Sequence, residues 1–433
     1  MTASTQCLIV VLIIAILFVT EIIPLAMTAV CGALACGMLG FIPTKAVFSG
    51  MADNTVILVC AMFVVGDAMF RTGLAQKIGI TVVKATGTGE NKLMAGVMFI
   101  SAALSSVLSN TGTVACLMPV VVGICKAAKI PVARQLMPLA FAASAGGMIS
   151  MVGTPPNVIV TSALANAGFQ PFGFFEFSKI GIPLTLGAII YMILIGKYLL
   201  PNRVDEEDDE TEGGSNNQAS EDAENETGPL TKKQVISGVI LLFVVAVMAI
   251  GFKRISLSMA ATIGAALCVL TGCVTEKEAY RSIDFVTAFV LAFMMPVSQA
   301  MSSTGAGKVI AGWAVQLMGG SPTPMVVTIV LFVIACLMTQ FMSNTAATAL
   351  LAPIGLAIAE KLGASPHAVL MAIAAAAAAA FATPVGTPPN TIILGVGRYR
   401  FMDYVKAGTG LILVFFVISI ILLPMIWPFF PGK

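Results

Sequence analysis

Two short polar motifs each occur twice in this chain, inside segments that are otherwise apolar. Ser-Asn-Thr stands at residues 109–111 and again at 343–345, and Gly-Thr-Pro-Pro-Asn stands at 153–157 and again at 386–390. Glycine and proline interrupt a helix and free backbone donors and acceptors, which is costly inside a bilayer unless these groups line a site. Helix N-termini and amides favour an anion, whereas carbonyl and hydroxyl oxygens favour a hard cation such as Na⁺.

The four motifs contain no Lys, Arg, His, Asp or Glu. A site with groups for both ions but no fixed charge is expected to bind them together, because cations offset the desolvation cost of the anion. Proton coupling normally uses an intramembrane carboxylate or histidine, so a cation/proton antiporter is a less favoured alternative. A channel is also less favoured, because two opposed breaks around a midplane pocket suit alternating access.

An intramembrane enzyme is not expected from this sequence. Such an enzyme needs a nucleophile with its base, or a set of metal ligands. The chain has one histidine, His367, and nine cysteines that are scattered singly through apolar segments. We therefore predict a protein that is not an enzyme and has no organic cofactor.

The elements around the motifs are those of an integral membrane protein. Hydrophobic residues make up 58% of the 433 residues, charged residues make up 10%, and the mean hydropathy is +0.98. Soluble proteins average about 25% charged residues. Apolar runs long enough to cross about 30 Å of hydrocarbon recur at 7–23, 25–42, 54–70, 178–200, 235–251, 256–274, 284–301 and 409–430.

The segments that carry the motifs are interrupted spans. Residues 93–127 and 326–361 each contain two short apolar arms around Ser-Asn-Thr, which predicts re-entrant hairpins. Residues 131–167 and 366–396 each predict one span broken at Gly-Thr-Pro-Pro-Asn, because proline removes a backbone donor and restricts the preceding residue.

The same order of elements occurs on both sides of an acidic segment. We predict a first repeat at 1–200, a disordered linker at 201–234 and a second repeat at 235–433, since the linker composition cannot bury enough apolar surface to fold. Five spans and one hairpin in each repeat would place the second copy upside down, giving an inverted repeat of ten spans. Most of the 23 lysines and arginines then lie on the side of the linker. This distribution predicts a cytoplasmic linker in a multi-pass protein of the plasma membrane, with a bacterial inner membrane favoured.

The paired motifs resemble those of the divalent anion/sodium symporter family, which includes sodium/dicarboxylate and sodium/sulfate cotransporters. The resemblance covers nearly the whole chain apart from the acidic linker. It implies an all-α polytopic membrane protein that works as an elevator-type transporter and forms a homodimer in the lipid bilayer. One departure is that Gly112 follows the first Ser-Asn-Thr, whereas Ala346 follows the second.

The same resemblance implies which residues bind the substrate and the ions. The oxyanion groups of a small dianionic substrate would be bound by Ser109, Asn110, Thr111, Thr154, Ser343, Asn344, Thr345, Thr387 and Pro388. At least two Na⁺ ions are expected. One would be bound by Ser105, Ser109, Asn110 and the carbonyl of Gly153, and a second by Thr339, Ser343, Asn344 and the carbonyl of Gly386.

The function expected from the sequence is sodium-coupled import of a small divalent anion. A C4-dicarboxylate such as succinate, malate or fumarate is the favoured substrate, and sulfate or another oxyanion is the main alternative. We expect no nucleic-acid partner. Asp67 and Arg71, four residues apart near one end of a span, are expected to form an ion pair at the membrane surface.

Overall fold

The structure, a computed structural model, describes residues 2–86, 89–201, 229–251, 254–320 and 322–431. These residues form helices joined by turns, and none of them forms a β-strand. Most of the predicted acidic linker, residues 202–228, lies outside the described residues. Helical segments long and apolar enough to cross a membrane are Ala3–Thr20, Thr44–Arg71, Asn110–Ala128, Ser178–Leu199, Lys232–Ile250, Phe285–Ser303 and Phe401–Ile426.

The helices before and after the linker follow the same order. In the first half they are α1 (Ala3–Thr20), α2 (Leu25–Met38), a 3₁₀ segment (Thr44–Ala52), α3 (Asn54–Arg71), α4 (Leu74–Thr86), α5 (Glu90–Ser105), α6 (Asn110–Ala128), α7 (Ala133–Gly146), α8 (Pro155–Asn166) and α9 (Ser178–Leu199). In the second half they are α10 (Lys232–Ile250), α11 (Leu257–Leu270), α12 (Glu276–Ser282), α13 (Phe285–Ser303), α14 (Ala306–Leu317), α15 (Pro324–Thr339), α16 (Asn344–Lys361), α17 (His367–Ala378), α18 (Pro388–Val396) and α19 (Phe401–Ile426).

The outer helices present apolar side chains that face away from the protein. On α19 the side chains of Leu413, Val417, Ile421 and Met425 are each more than half exposed. Their four-residue spacing places them along one face of the helix. A continuous apolar face of this kind suits hydrocarbon rather than water, so the predicted all-α membrane fold is confirmed.

The helices that carry the motifs pack into two similar groups. In each half the helix before Ser-Asn-Thr packs along the first part of the broken helix, α5 on α7 and α15 on α17. Every residue of α7 except Arg134 and every residue of α17 except His367 is buried. The alanine run 374–380 is almost fully shielded, as expected where small residues let helices approach closely. The helices α2, α3, α11 and α13 pack against each other in pairs, α3 on α11 and α13 on α2.

The second arm of each predicted hairpin is longer than the short arm expected from sequence. It is α6 with 19 residues in the first half and α16 with 18 residues in the second. Both helices continue through an internal proline, Pro119 or Pro353. The effect is that each Ser-Asn-Thr stands at the start of a full helix.

Candidate functional site

Each Ser-Asn-Thr motif forms the beginning of a helix. Ser109 precedes α6 and its Oγ accepts a hydrogen bond of 3.1 Å from the backbone N–H of Gly112. Ser343 precedes α16 and its Oγ accepts a hydrogen bond of 3.2 Å from the backbone N–H of Ala346. A serine in this position satisfies one of the free N–H groups of the first turn. The motif therefore builds two equivalent helix starts.

Each Gly-Thr-Pro-Pro-Asn motif also ends in a helix start. Thr154 and Thr387 are extended residues that precede α8 and α18, and a proline is the first residue of each helix. Proline is favoured there because its missing N–H would be unpaired in any case. The chain between α7 and α8, and between α17 and α18, is thus unwound over several residues in both halves.

A buried asparagine holds each unwound segment in place. Asn157 Nδ2 donates to the carbonyl of Gly147 at 3.1 Å and to that of Ser150 at 2.7 Å. Asn390 Nδ2 donates to the carbonyl of Ala380 at 2.8 Å and to that of Thr383 at 2.9 Å. In both halves the two carbonyls lie ten and seven residues before the asparagine. The last residue of the motif therefore pairs backbone groups that the break had freed.

The four motifs meet at one cavity of about 420 Å³. The cavity is lined by all the residues that the sequence predicts to bind the substrate: Ser109, Asn110, Thr111, Thr154, Ser343, Asn344, Thr345, Thr387 and Pro388. Gly153 and Gly386 line it as well, whereas Ser105 and Thr339 lie behind it and are fully buried. The structure thus brings together residues that are more than 200 positions apart in the sequence.

The helix N-termini in the wall of the cavity favour an anion. The first residues of four helices, α6, α8, α16 and α18, line its wall. A helix N-terminus carries roughly half a positive charge, and its free N–H groups point at whatever lies beyond it. The described residues that line the cavity include no Lys, Arg or His. The attraction for an anion therefore comes from dipoles and neutral donors.

Oxygen atoms cluster behind the first Ser-Asn-Thr motif, on the side away from the cavity. One atom of the Asn110 side-chain amide faces Ser105 Oγ at 2.5 Å, the Gly153 carbonyl at 3.1 Å and the Ala143 carbonyl at 3.3 Å. The amide nitrogen fits this position when no ion is bound, because it donates to the carbonyls. With the amide oxygen there instead, four oxygens converge, and a cation is needed to offset their repulsion. These residues fit a small cation with oxygen ligands, such as Na⁺.

A similar cluster of oxygen atoms lies behind the second Ser-Asn-Thr motif. Thr339 Oγ1 lies 2.7 Å from Asn344 Oδ1 and 2.8 Å from the Ala377 carbonyl. Gly386 packs directly against this group, since a Cβ on Gly386 would lie 2.6 Å from the Thr339 carbonyl. Hydroxyl, amide and carbonyl oxygens are therefore close together in both halves. The contacts of Ser109 and Ser343, by contrast, are those of the helix caps described above.

Two carboxylates line the cavity that the sequence analysis did not assign to it. Asp67 on α3 forms the expected ion pair with Arg71 at 2.5 Å, and Arg71 also bonds Glu278 at 3.0 Å. Asp284 caps α13 by accepting from the backbone N–H groups of Val286 and Thr287. The spacing of Asp67 and Arg71 revealed the ion pair, but nothing in the sequence indicated that Asp67 faces the cavity.

The cavity reaches the side of the molecule from which the linker leaves. Its lining includes Asp67 and Phe70, in the last turn and a half of α3. Thr72, directly after α3, bonds Ser237 in the second turn of α10. This helix begins at Lys232, within the last residues of the segment 201–234 that the sequence predicts as the linker. A second cavity of about 490 Å³ lies near the other end of α13 and is lined by polar residues that include Asp53, Asn166, Ser298, Gln299, Lys308 and Glu360.

A polytopic helical fold with a central cavity built from two repeated pairs of helix breaks is that of a membrane transporter. The chain belongs to the citrate transporter family (CitMHS), whose model matches residues 15–253 and 247–431. The resemblance to the divalent anion/sodium symporters, predicted from the paired motifs, is confirmed, since this family lies in the same superfamily.

Relatives across bacteria are also named as transporters. The chain is 24% identical to the transporter YfbS of Escherichia coli, with 96% of this chain and 97% of the relative covered. It is 29% identical to a transporter of Haemophilus influenzae, with 96% and 90% covered. It is 25% identical to the sodium-dependent dicarboxylate transporter SdcS of Staphylococcus aureus, with 96% and 84% covered.

Two solved structures share the fold. The YdaH transporter of Alcanivorax borkumensis matches with a TM-score of 0.64 and 13% identity, covering 97% of this chain and 98% of that one. MtrF of Neisseria gonorrhoeae, described as belonging to a class of antimetabolite efflux pumps, matches with a TM-score of 0.62 and 16% identity, covering 90% and 86%. At these identities the likeness concerns the fold alone.

Proposed function

We propose that this chain is a sodium-coupled secondary transporter that imports a small dianion, with a C4-dicarboxylate as the favoured substrate. The observation that carries the proposal is the composition of the central cavity. Four helix N-termini line a space without Lys, Arg or His among its described lining residues, and an oxygen cluster lies behind each of Asn110 and Asn344.

The near symmetry of the cavity matches a substrate with two similar ends. Each half contributes one Ser-Asn-Thr tip and one Thr-Pro helix start. A linear dicarboxylate would place one carboxylate at each pair of N-termini, where hydroxyls and amides donate hydrogen bonds to it. The relationship to SdcS, which is named a sodium-dependent dicarboxylate transporter, supports this choice.

Sodium would be bound by the oxygen clusters, with Ser105, Asn110 and Gly153 on one side and Thr339, Asn344 and Gly386 on the other. When bound, Na⁺ would neutralise a dianion that otherwise loses its hydration at a large cost. Asn110 and Asn344 belong to both sites, since each lines the cavity and contacts an oxygen cluster. This sharing gives a direct route by which cation binding would favour substrate binding.

Transport would proceed by alternating access in an elevator-like movement. The helices α5–α8 and α15–α18 would carry the site past the packed helices α2, α3, α11 and α13. The central cavity opens on the side from which the linker leaves. After the movement, the site would open on the other side, at the second cavity. We propose that this happens in the bacterial inner membrane, in a homodimer whose linker is cytoplasmic.

Uptake into proteoliposomes tests the proposal. Radiolabelled succinate should accumulate when an inward Na⁺ gradient is imposed and not when choline replaces Na⁺. Unlabelled malate, fumarate, citrate and sulfate are then added as competitors. Succinate uptake that is indifferent to the Na⁺ gradient would refute the coupling, and competition by sulfate alone would change the substrate class.

A further inference from the structure

We infer that Gln340 is a positioning residue for the second cation site, a role that rests on the proposed sodium coupling. Gln340 directly follows α15 and stands three residues before Ser343. Its side chain belongs to none of the four motifs, and it is only 5% exposed. A buried amide must find partners for its donors and its acceptor, and those partners define its role.

The Gln340 amide bridges the hairpin and the unwound segment of the second half. Its Nε2 donates to the carbonyl of Cys336 in α15 at 2.8 Å and to the carbonyl of Ala379, just after α17, at 2.9 Å. Its Oε1 accepts from the backbone N–H of Ala382 at 2.9 Å. One side chain therefore pairs the N–H of Ala382 and gives a second donor to the Ala379 carbonyl, which also accepts from the N–H of Phe381 at 2.9 Å.

The same residue is linked to Gly386 through Thr383. Thr383 Oγ1 donates to the Gln340 carbonyl at 2.5 Å and accepts from the N–H of Gly386 at 3.1 Å. Gly386 is the residue whose carbonyl is proposed to bind the second cation, and it packs against Thr339, the neighbour of Gln340. Gln340 thus fixes the position of the segment 379–386 relative to the oxygen cluster.

Among the described residues of the first half, the position equivalent to Gln340 forms no such bridge. Ser106 follows α5 just as Gln340 follows α15, and its Oγ donates within its own helix to the Ala103 carbonyl at 2.7 Å. Its carbonyl does accept from Ser150 Oγ, so the backbone link is common to both halves. The structure thus shows an amide bridge at Gln340 but not at the equivalent Ser106.

The first break is supported by a neighbouring loop instead. The N–H of Met151 donates to the carbonyl of Phe174 at 2.9 Å. The equivalent position in the second break, counted from Gly153 and Gly386, is Pro384, which has no N–H to donate. The second break therefore lacks this backbone support, and Gln340 adds a side-chain contact to it.

The purified full-length protein offers a test that does not require transport. Thermal unfolding is followed as Na⁺ replaces choline at constant ionic strength. Gln340→Met keeps the side-chain volume but removes the hydrogen bonds, Gln340→Glu keeps the acceptor for Ala382, and Ser106→Ala is the matched control in the first half. The Na⁺ concentration for half-maximal stabilisation should rise by about 10-fold or more in Gln340→Met, as for other residues that support metal ligands. It should rise less in Gln340→Glu and stay at the wild-type value in Ser106→Ala.

Hydrogen exchange supplies the local readout. Exchange in the peptide 379–387 should become faster in Gln340→Met, because Ala382 loses its acceptor, whereas exchange in 147–154 should not change. Faster exchange with an unchanged Na⁺ midpoint would make Gln340 a structural brace and overturn the inference. If Gln340→Met does not fold, Gln340→Glu decides by the Na⁺ midpoint alone, and a midpoint equal to that of the wild type would overturn the inference. A wild-type protein that Na⁺ does not stabilise would overturn the sodium coupling itself, and the role of Gln340 with it.

Discussion

The ring of Phe70 on α3 lies directly against Gly112 in the first turn of α6. A Cβ on Gly112 would be 2.5 Å from Phe70 Cε2 and 2.8 Å from Ser109 Oγ. Phe70 and Gly112 both line the central cavity. The residue after the second Ser-Asn-Thr is Ala346, whose methyl group is accommodated and fully buried. The chemical difference between the two tips therefore reflects the packing of α3 on the first one.

Gly112→Ala should lower the uptake rate, because the new methyl group must displace either the Phe70 ring or the Ser109 hydroxyl. Overpacking of this kind costs about 1–3 kcal/mol. Uptake is measured in proteoliposomes at several substrate concentrations. Ala346→Gly is the matched control and should keep most of its uptake. The double variant Gly112→Ala with Phe70→Leu should recover activity, and no recovery would show that the Phe70 contact is not the cause.

Asn110→Ala and Asn344→Ala should each abolish uptake while the protein remains folded. Each asparagine lines the cavity and also touches an oxygen cluster, so its loss removes both a proposed substrate donor and a proposed cation ligand. Uptake, size-exclusion profile and thermal unfolding are compared with those of the wild type. Near-normal uptake by both variants would contradict the assignment of the site.

Asn157→Ala and Asn390→Ala should behave differently, because these asparagines pair backbone carbonyls inside the two breaks. Leaving a buried acceptor unpaired costs about 1–3 kcal/mol. The melting temperature should fall in both variants, whether or not Na⁺ is present. A variant with an unchanged melting temperature would show that water replaces the amide without loss.

The central cavity was predictable because its parts are repeated in the sequence. Ser109 and Ser343 cap helices, and Thr154 and Thr387 directly precede helices that begin with proline. Each of these roles follows from the local sequence. The meeting of the four motifs follows from the repeat, because equivalent breaks in two copies of one fold come together across the axis that relates them.

Other parts of the site were not predictable, because they depend on which helix packs beside the motifs. Asp67 faces the cavity only because α3 passes the first tip. Gln340 contacts the second break only because α15 packs along α17. The side chain of its counterpart, Ser106, bonds a carbonyl of its own helix instead. Single polar residues without a motif give no signal of this kind in one sequence.

Asp67 and Arg71 should influence the affinity for the dianion in opposite directions. Asp67→Asn removes a negative charge from the cavity wall and leaves Arg71 with Glu278 as its acidic partner, so the KM for a dianion should fall. Arg71→Gln removes the compensating positive charge, so the KM should rise. Neither change in KM should exceed about fivefold, because ion pairs near solvent contribute about 0.2–1 kcal/mol.

Initial uptake rates are measured at low and high ionic strength with the Na⁺ concentration held constant. Both effects should shrink at high ionic strength, where charges are screened. If both variants shift KM in the same direction, the charges do not act on the substrate, and Arg71 serves only to join α3 to α12 through Glu278.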